Sequence, residues 1–179
     1  KVNDGSWRQK YVVYRMLTKV KARKKTSNKW FETQDSISYW EDFNLPKIVW
    51  GEISDRSKFA YEENGIFIPE ATTFLMVGKG LAYLLCVLNS PLSEWFFSKI
   101  GTTTGVGTVR WKKFTIQELL IPNIGIQMFQ QFDYLARKYT KKEMSSKQLS
   151  SHANQILYKI VGLTEDEVLY VENFYPPIL

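Results

Sequence analysis

A chain of 179 residues fits one domain, or one domain with a small appendage. With 44% hydrophobic and 15% aromatic residues it has ample material for a core, which excludes global disorder. The net charge of +6 is local: Lys19, Lys21, Arg23, Lys24, Lys25 and Lys29 occupy an acid-free stretch, and the remaining residues hold 18 basic and 18 acidic side chains.

Trp7 to Leu17 alternates and is rich in Tyr and Val, which reads as a strand. The basic segment follows as a loop or a ragged strand end. Such concentrated charge points to a local polyanion contact or to a solvated connector between two elements. From Trp30 to Phe43 aromatics mix with acids. Asp35-Ser36 is placed to start a short helix with Tyr39, Trp40 and Phe43 on one face, and Pro46 stops it. Lys47 to Ile53, KIVWGEI, reads as a buried strand, and Ser54 to Lys58, SDRSK, as a polar turn. Phe59-Ala60-Tyr61 leads to the turn signal Glu63-Asn64-Gly65, after which Ile66-Phe67-Ile68 is expected to resume the sheet. Thr72 to Val77 is another strand.

Helices follow. Lys79 to Leu88 places Leu81, Leu84, Leu85 and Leu88 at helical spacing, and Ser90-Pro91 supplies a cap and a first-turn proline for the next helix. That helix carries Leu92, Trp95, Phe96 and Ile100 on one face. Phe114 to Pro122 is expected to return as a strand. Beyond Asn123, Met128, Phe132, Leu135, Ala136 and Tyr139 mark an amphipathic helix. Lys141 to Lys147 interrupts it. Ser145 and Gln148 have capping-box spacing for a helix ending at Gly162, and Thr164 with Glu167 caps a last one through Glu172. The expected fold is therefore mixed α+β: a twisted mixed sheet with packed helices over 1–122, then a helical segment over 123–179 packing on the body or on a parent enzyme.

The single cysteine, Cys86, cannot form an internal disulfide and sits in the apolar run AYLLCVL, as a buried, reduced residue would. The longest apolar run, Leu81 to Leu88, is too short to span a bilayer, no signal peptide is expected, and a reduced Cys86 fits a cytoplasmic location. A start at Lys1 without methionine suggests a piece of a longer polypeptide.

The most informative stretch is Gly101 to Phe114, GTTTGVGTVRWKKF. Glycine lets a backbone approach a ligand closely, and threonine offers a hydroxyl and a methyl. Arg110, Lys112 and Lys113 then surround Trp111. Cations alternating with an aromatic after such a loop suit a polyanion with flat bases. The alternative is a glycine-rich turn before an exposed strand whose lysines keep an edge soluble.

Catalytic patterns are missing from the sequence. His152 is the only histidine and is expected at the surface, no Cys/His pair, Ser/His/Asp set or HExxH occurs, and the glycine-rich loop matches neither GxxxxGK[ST] nor GxGxxG. These residues favour a binding module over a catalyst, with no metal site.

Three stretches together resemble a known family: ETQDSISYWEDFNLPKIVWGEIS (32–54), LAYLLCVLNSPLSEWFFSKI (81–100) running into GTTTGVGTVRWKK, and ANQILYKIVGLTEDEVLYVE (153–172). They are similar to the TaqI-like C-terminal specificity domain of type II restriction-modification enzymes and adenine-specific DNA methyltransferases. In that family a PKIVW.EIS strand, a YLL.LLNS helix and a glycine-rich loop with Arg and Lys recur in this order. The resemblance implies a target-recognition domain that holds double-stranded DNA against a methyltransferase or endonuclease portion of the parent chain. The parent would use S-adenosylmethionine to methylate adenine N6, and Mg²⁺ if it also cleaves. This chain has neither the cofactor-binding strand-loop nor the Asn/Asp-Pro-Pro-Tyr/Phe motif, since Tyr175-Pro176-Pro177 runs the wrong way. The resemblance thus implies no catalysis and no cofactor in this chain.

Under that reading Arg110 and the hydroxyls of Thr102, Thr103 and Thr104 face base edges or the groove wall, with Trp111 either stacking or core. Lys112, Lys113, Lys21, Arg23, Lys24 and Lys25 take phosphates, with Arg56 and Lys58 as secondary candidates. Trp30, Trp40, Trp50, Trp95 and Phe96 are assigned to the core. The alternative function is a protein-interaction module whose helical tail docks a partner subunit, with only non-specific DNA affinity.

Overall fold

The computed structural model describes residues 39–70, 72–102 and 108–174. Expectations for Trp7–Leu17, the basic segment, Trp30 and Asp35-Ser36 lie outside them. The chain divides after Trp40, and every strand and α-helix among the described residues lies in the unit Glu41–Leu179.

A 3₁₀ turn, Trp40–Asn44, precedes five short strands: β1 (Lys47–Gly51), β2 (Ile53–Ser54), β3 (Ala60–Glu62), β4 (Thr73–Val77) and β5 (Val109–Arg110). The helices are α1 (Leu81–Leu88), α2 (Pro91–Ile100), the single turn α3 (Lys113–Ile116), α4 (Ile126–Thr140), α5 (Ser146–Val161) and α6 (Glu165–Phe174). The fold is mixed α+β. Among the described residues every strand pair is antiparallel: β3-β1-β4 makes one sheet and β2-β5 a small ribbon.

KIVWGEI is not one strand. It breaks at Glu52, where the chain changes partners. The Glu52 N–H donates to the Thr72 carbonyl at 3.3 Å, on the β4 side. The Glu52 carbonyl accepts from the Trp111 N–H at 2.7 Å, on the β5 side. One segment therefore joins two sheets, with Ile53 opposite Arg110 and Ser54 opposite Val109.

Two other expectations are corrected. Ile66-Phe67-Ile68 forms no strand and is exposed. The carboxylate of Glu62 accepts the amides of Asn64 at 2.8 Å and Ile66 at 3.3 Å, so a side chain takes the bonds a ladder would have used. Phe114 to Pro122 is a helical turn followed by irregular chain. Its buried positions are Thr115, Ile116 and Leu119, a helical and not an alternating spacing, while Phe114 and Leu120 stay exposed.

Helix α1, LAYLLCVL, has no charged residue, and a helix apolar all round must be covered on every side. Leu81 and Leu88 join Ile48, Trp50, Phe59, Phe97, Trp111, Ile116 and Leu119 in a core against the sheets. Tyr83, Cys86 and Val87 join Ile124, Phe132, Leu135, Leu149, Ala153 and Leu157 in a second core against α4 and α5. Trp50 is buried as expected, Trp40, Trp95 and Phe96 are partly buried, and His152 is exposed. Ser90 caps α2 by accepting the Ser93 amide, both halves of the Ser145–Gln148 capping box form, and Glu167 accepts from the Thr164 amide at 2.8 Å.

Candidate nucleic-acid interface

The β2-β5 ribbon gathers the chemistry. At the end of α2, Gly101 donates to the Phe97 carbonyl at 2.7 Å. The next residue, exposed Thr102, accepts from the Arg110 N–H at 3.0 Å, so the two ends of the glycine-rich segment meet. Thr103 and Thr104 lie outside the described residues.

Trp111 anchors this neck from below. Its ring stacks on Phe97 at 3.9 Å between centroids and takes an edge contact with Phe59 at 5.7 Å. Its carbonyl accepts from Trp50 Nε1 at 2.8 Å, tying β5 to β1. Trp111 is thus a core residue, 3% exposed, and not a stacking platform for bases. Core packing claimed the aromatic because Phe97, Phe59 and Trp50 together offer more buried contact than an exposed base could.

With the tryptophan turned inward, its neighbours in sequence remain at the surface. Arg110 Nη1 donates to Glu52 Oε1 at 2.8 Å, and both side chains are partly exposed, 41% and 31%. A partly solvated pair like this contributes about 0.2–1 kcal/mol, so it holds the Arg110 side chain only weakly. Lys113 is exposed and Lys112 half-buried, its Nζ lying 5.8 Å over the exposed Phe114 ring. Among the described residues neither lysine forms an ion pair.

The SDRSK turn lies beside the ribbon, and a narrow crevice lined by Arg56, Glu94, Phe97, Val109 and Trp111 runs between them. Its two cations differ in kind. Arg56 contacts Glu94 through Nη2 at 2.8 Å and Nε at 3.4 Å, and the Glu94 side chain is only 5% exposed. Glu94 also accepts the Ser57 amide and hydroxyl at 2.8 and 2.6 Å. Arg56 is therefore committed to holding the turn on α2. Lys58 pairs with Asp55 at 2.6 Å on the open surface, and that contact holds the Asp55 carboxyl below its ordinary value against slight desolvation.

Of the residues named from sequence, Thr102 and Arg110 meet through a backbone hydrogen bond, Lys112 and Lys113 follow directly in the chain, Arg56 lines the crevice with Val109 and Trp111, and Lys58 pairs with Asp55 on the same turn. Lys21, Arg23, Lys24 and Lys25 lie outside the described residues. Sequence reasoning missed Glu52 and Glu94 as partners of the two arginines. They stand 58 and 38 residues away, and no local pattern signals pairing over that distance. Among the described residues no group of three or more His, Cys, Asp or Glu side chains is placed to hold a metal ion, and no helix is long and apolar enough to cross a membrane.

Arg110, Lys112 and Lys113, all at least partly exposed at the end of the glycine-rich segment, are residue types that a polyanion contact uses. Residues 2–121 match the model of the TaqI-like C-terminal specificity domain, well over half of the chain, so the chain belongs to that family of DNA sequence-recognition domains of restriction-modification enzymes. The matched range ends before α4, and no curated protein gives a match. A specificity domain is not itself catalytic, and it works in association with a catalytic part of the enzyme.

Proposed function

We propose that this chain recognises a short sequence in duplex DNA and positions that duplex for the catalytic portion of an adenine-specific methyltransferase, which in turn supplies S-adenosylmethionine chemistry. The observation that carries the reading is Arg110, held at the surface by Glu52 where the two ends of the glycine-rich segment meet. A guanidinium presents a flat fork that bonds guanine O6 and N7 together, so its position becomes sequence preference. Exposed Thr102, with Thr103 and Thr104 beyond it, would meet the groove wall. Lys112 and Lys113 are point charges beside that fork and suit phosphates, which add affinity without preference. Lys58 adds a weaker contact, since Asp55 already neutralises it. Lys21, Arg23, Lys24 and Lys25 have the charge to take further phosphates. Trp111 and Arg56 act as supports.

Selection from a randomised duplex pool at two salt concentrations tests the reading. The expected result is enrichment of one short motif. Arg110→Ala should then lose about 1–3 kcal/mol of discrimination at one base pair. Lys113→Ala should weaken binding to all sequences alike and reduce the slope of log K against log salt by about 1. Binding without enrichment in the wild type would leave only a phosphate-contacting surface and overturn the proposal.

A further inference from the structure

Two arginines reach this surface, and their carboxylate partners separate them. Arg56 makes two contacts with a buried glutamate that is itself saturated by Ser57, and its side chain is 18% exposed. Arg110 makes one contact, through Nη1, with a carboxylate that solvent also reaches. That contact leaves Nε and Nη2 as donors on the remaining edge of the guanidinium.

Both ends of the Glu52–Arg110 pair are pinned by backbone. The Glu52 amide bonds to Thr72 and its carbonyl to Trp111, while the Arg110 amide bonds to Thr102. Glu52 is also the residue at which β1 gives way to β2, so its side chain projects from the junction of the two sheets. A carboxylate at a DNA-facing surface repels phosphate and weakens binding to any duplex. Its place there needs an offsetting role, and geometry supplies one: it restricts a long, rotamer-rich side chain to one presentation.

We propose that Glu52 is a positioning residue for sequence readout, trading general DNA affinity for discrimination by holding the Arg110 guanidinium toward a guanine edge. The inference rests on the duplex-recognition reading above. It carries a signature of opposite signs. Removing the Glu52 charge raises affinity for arbitrary duplex and lowers preference for the selected one. Loss of a purely structural residue would lower both, and loss of a purely repulsive one would raise affinity for every duplex and leave the preference unchanged.

The test uses the 179-residue chain. Wild-type protein first selects its preferred duplex from a randomised pool. Dissociation constants for that duplex and a scrambled one are then measured for wild type, Glu52→Gln, Glu52→Asp, Arg110→Ala and the Glu52→Gln/Arg110→Ala double variant, with circular dichroism melts confirming folding. Glu52→Gln should bind the scrambled duplex about twofold to threefold tighter at low salt. Its ratio of preferred to scrambled affinity should fall about tenfold. Glu52→Asp keeps the charge but not the reach, so it should lose preference without gaining general affinity. In the Arg110→Ala background Glu52→Gln should change the ratio no further, because both act through one guanidinium. An unchanged ratio in both Glu52 variants, or an equal loss in the Arg110→Ala background, would overturn the inference while leaving duplex recognition standing. A wild type that enriches no motif would remove both.

Discussion

Lys47 is fully buried, and its ammonium donates to the carbonyls of Phe43 at 3.0 Å and Leu45 at 3.3 Å and to the Glu62 carboxylate across the β1-β3 ladder. For the Glu62 carboxyl, burial is the largest influence and pushes upward, but Lys47 and the amides of Ile66 and Asn64 together outweigh it and hold the carboxyl below its ordinary value near 4.5. A depressed folded value means that this carboxyl's stabilisation is complete above pH 4.5 and is lost as pH falls toward the folded value. Lys47→Met keeps the bulk and strands the carboxylate, which should cost about 3–5 kcal/mol near neutrality. The deficit relative to wild type should shrink on acidification, because a protonated Glu62 no longer needs the ammonium. Urea unfolding of both proteins between pH 7 and pH 3.5 reads this directly, and a deficit independent of pH would show that Lys47 stabilises by packing alone.

At the level of elements, helix boundaries marked by capping residues were legible, whereas the uncapped turn α3 and the sheet partners were not. Ser90-Pro91, Ser145 with Gln148, Gly162 and Thr164 with Glu167 all act within one turn, so a few neighbouring residues determine each boundary. Strand pairing is non-local. Nothing near Ile66 reveals that Glu62 will take its amide, and nothing in KIVWGEI reveals that Glu52 bonds to Thr72 and Trp111. The candidate interface divides the same way: Arg110, Lys112 and Lys113 were visible from composition, whereas the burial of Trp111 depended on Phe97 and Phe59. The α2–loop junction shows how tightly that neck is built. Gly101 has an ordinary φ of −75°, so its requirement is space: a Cβ there would lie 2.5 Å from Phe97 Cε1 and 2.8 Å from the Phe97 carbonyl. Gly101→Ala should therefore push the Phe97 ring against Trp111, costing about 1–3 kcal/mol. It should also weaken sequence preference, because Trp111 adjoins Arg110. Chemical denaturation followed by tryptophan fluorescence, alongside the duplex-pool selection, checks both; an alanine variant with unchanged stability would mean that the neck relaxes freely.

At the scale of the whole unit, one short helix decides how independent the C-terminal segment is. Helix α1 supplies residues to both cores, and α4 and α5 cover the face formed by Tyr83, Cys86 and Val87. Phe132 is completely buried with its ring 4.9 Å from that of Tyr83, and the Tyr83 hydroxyl donates to the Pro122 carbonyl at 2.6 Å. Weakening the second core should thus loosen the helix that also packs against β1 and β3 and shares a core with Trp111. Phe132→Ala is the clean probe, with an expected loss of about 3–5 kcal/mol. Cys86 reports on it, since burial pushes its thiol up to about 12 and leaves almost no thiolate at neutral pH. In the intact chain a thiol reagent should modify Cys86 slowly; in Phe132→Ala the rate should rise about a hundredfold or more, following the population of opened molecules. The Trp111 signal should unfold in the same transition as the helices if α1 couples the two cores. Cys86 labelling that accelerates while the tryptophan transition stays at its wild-type midpoint would instead mean that the two cores open separately, and that the core around Trp111 needs nothing from α4 and α5.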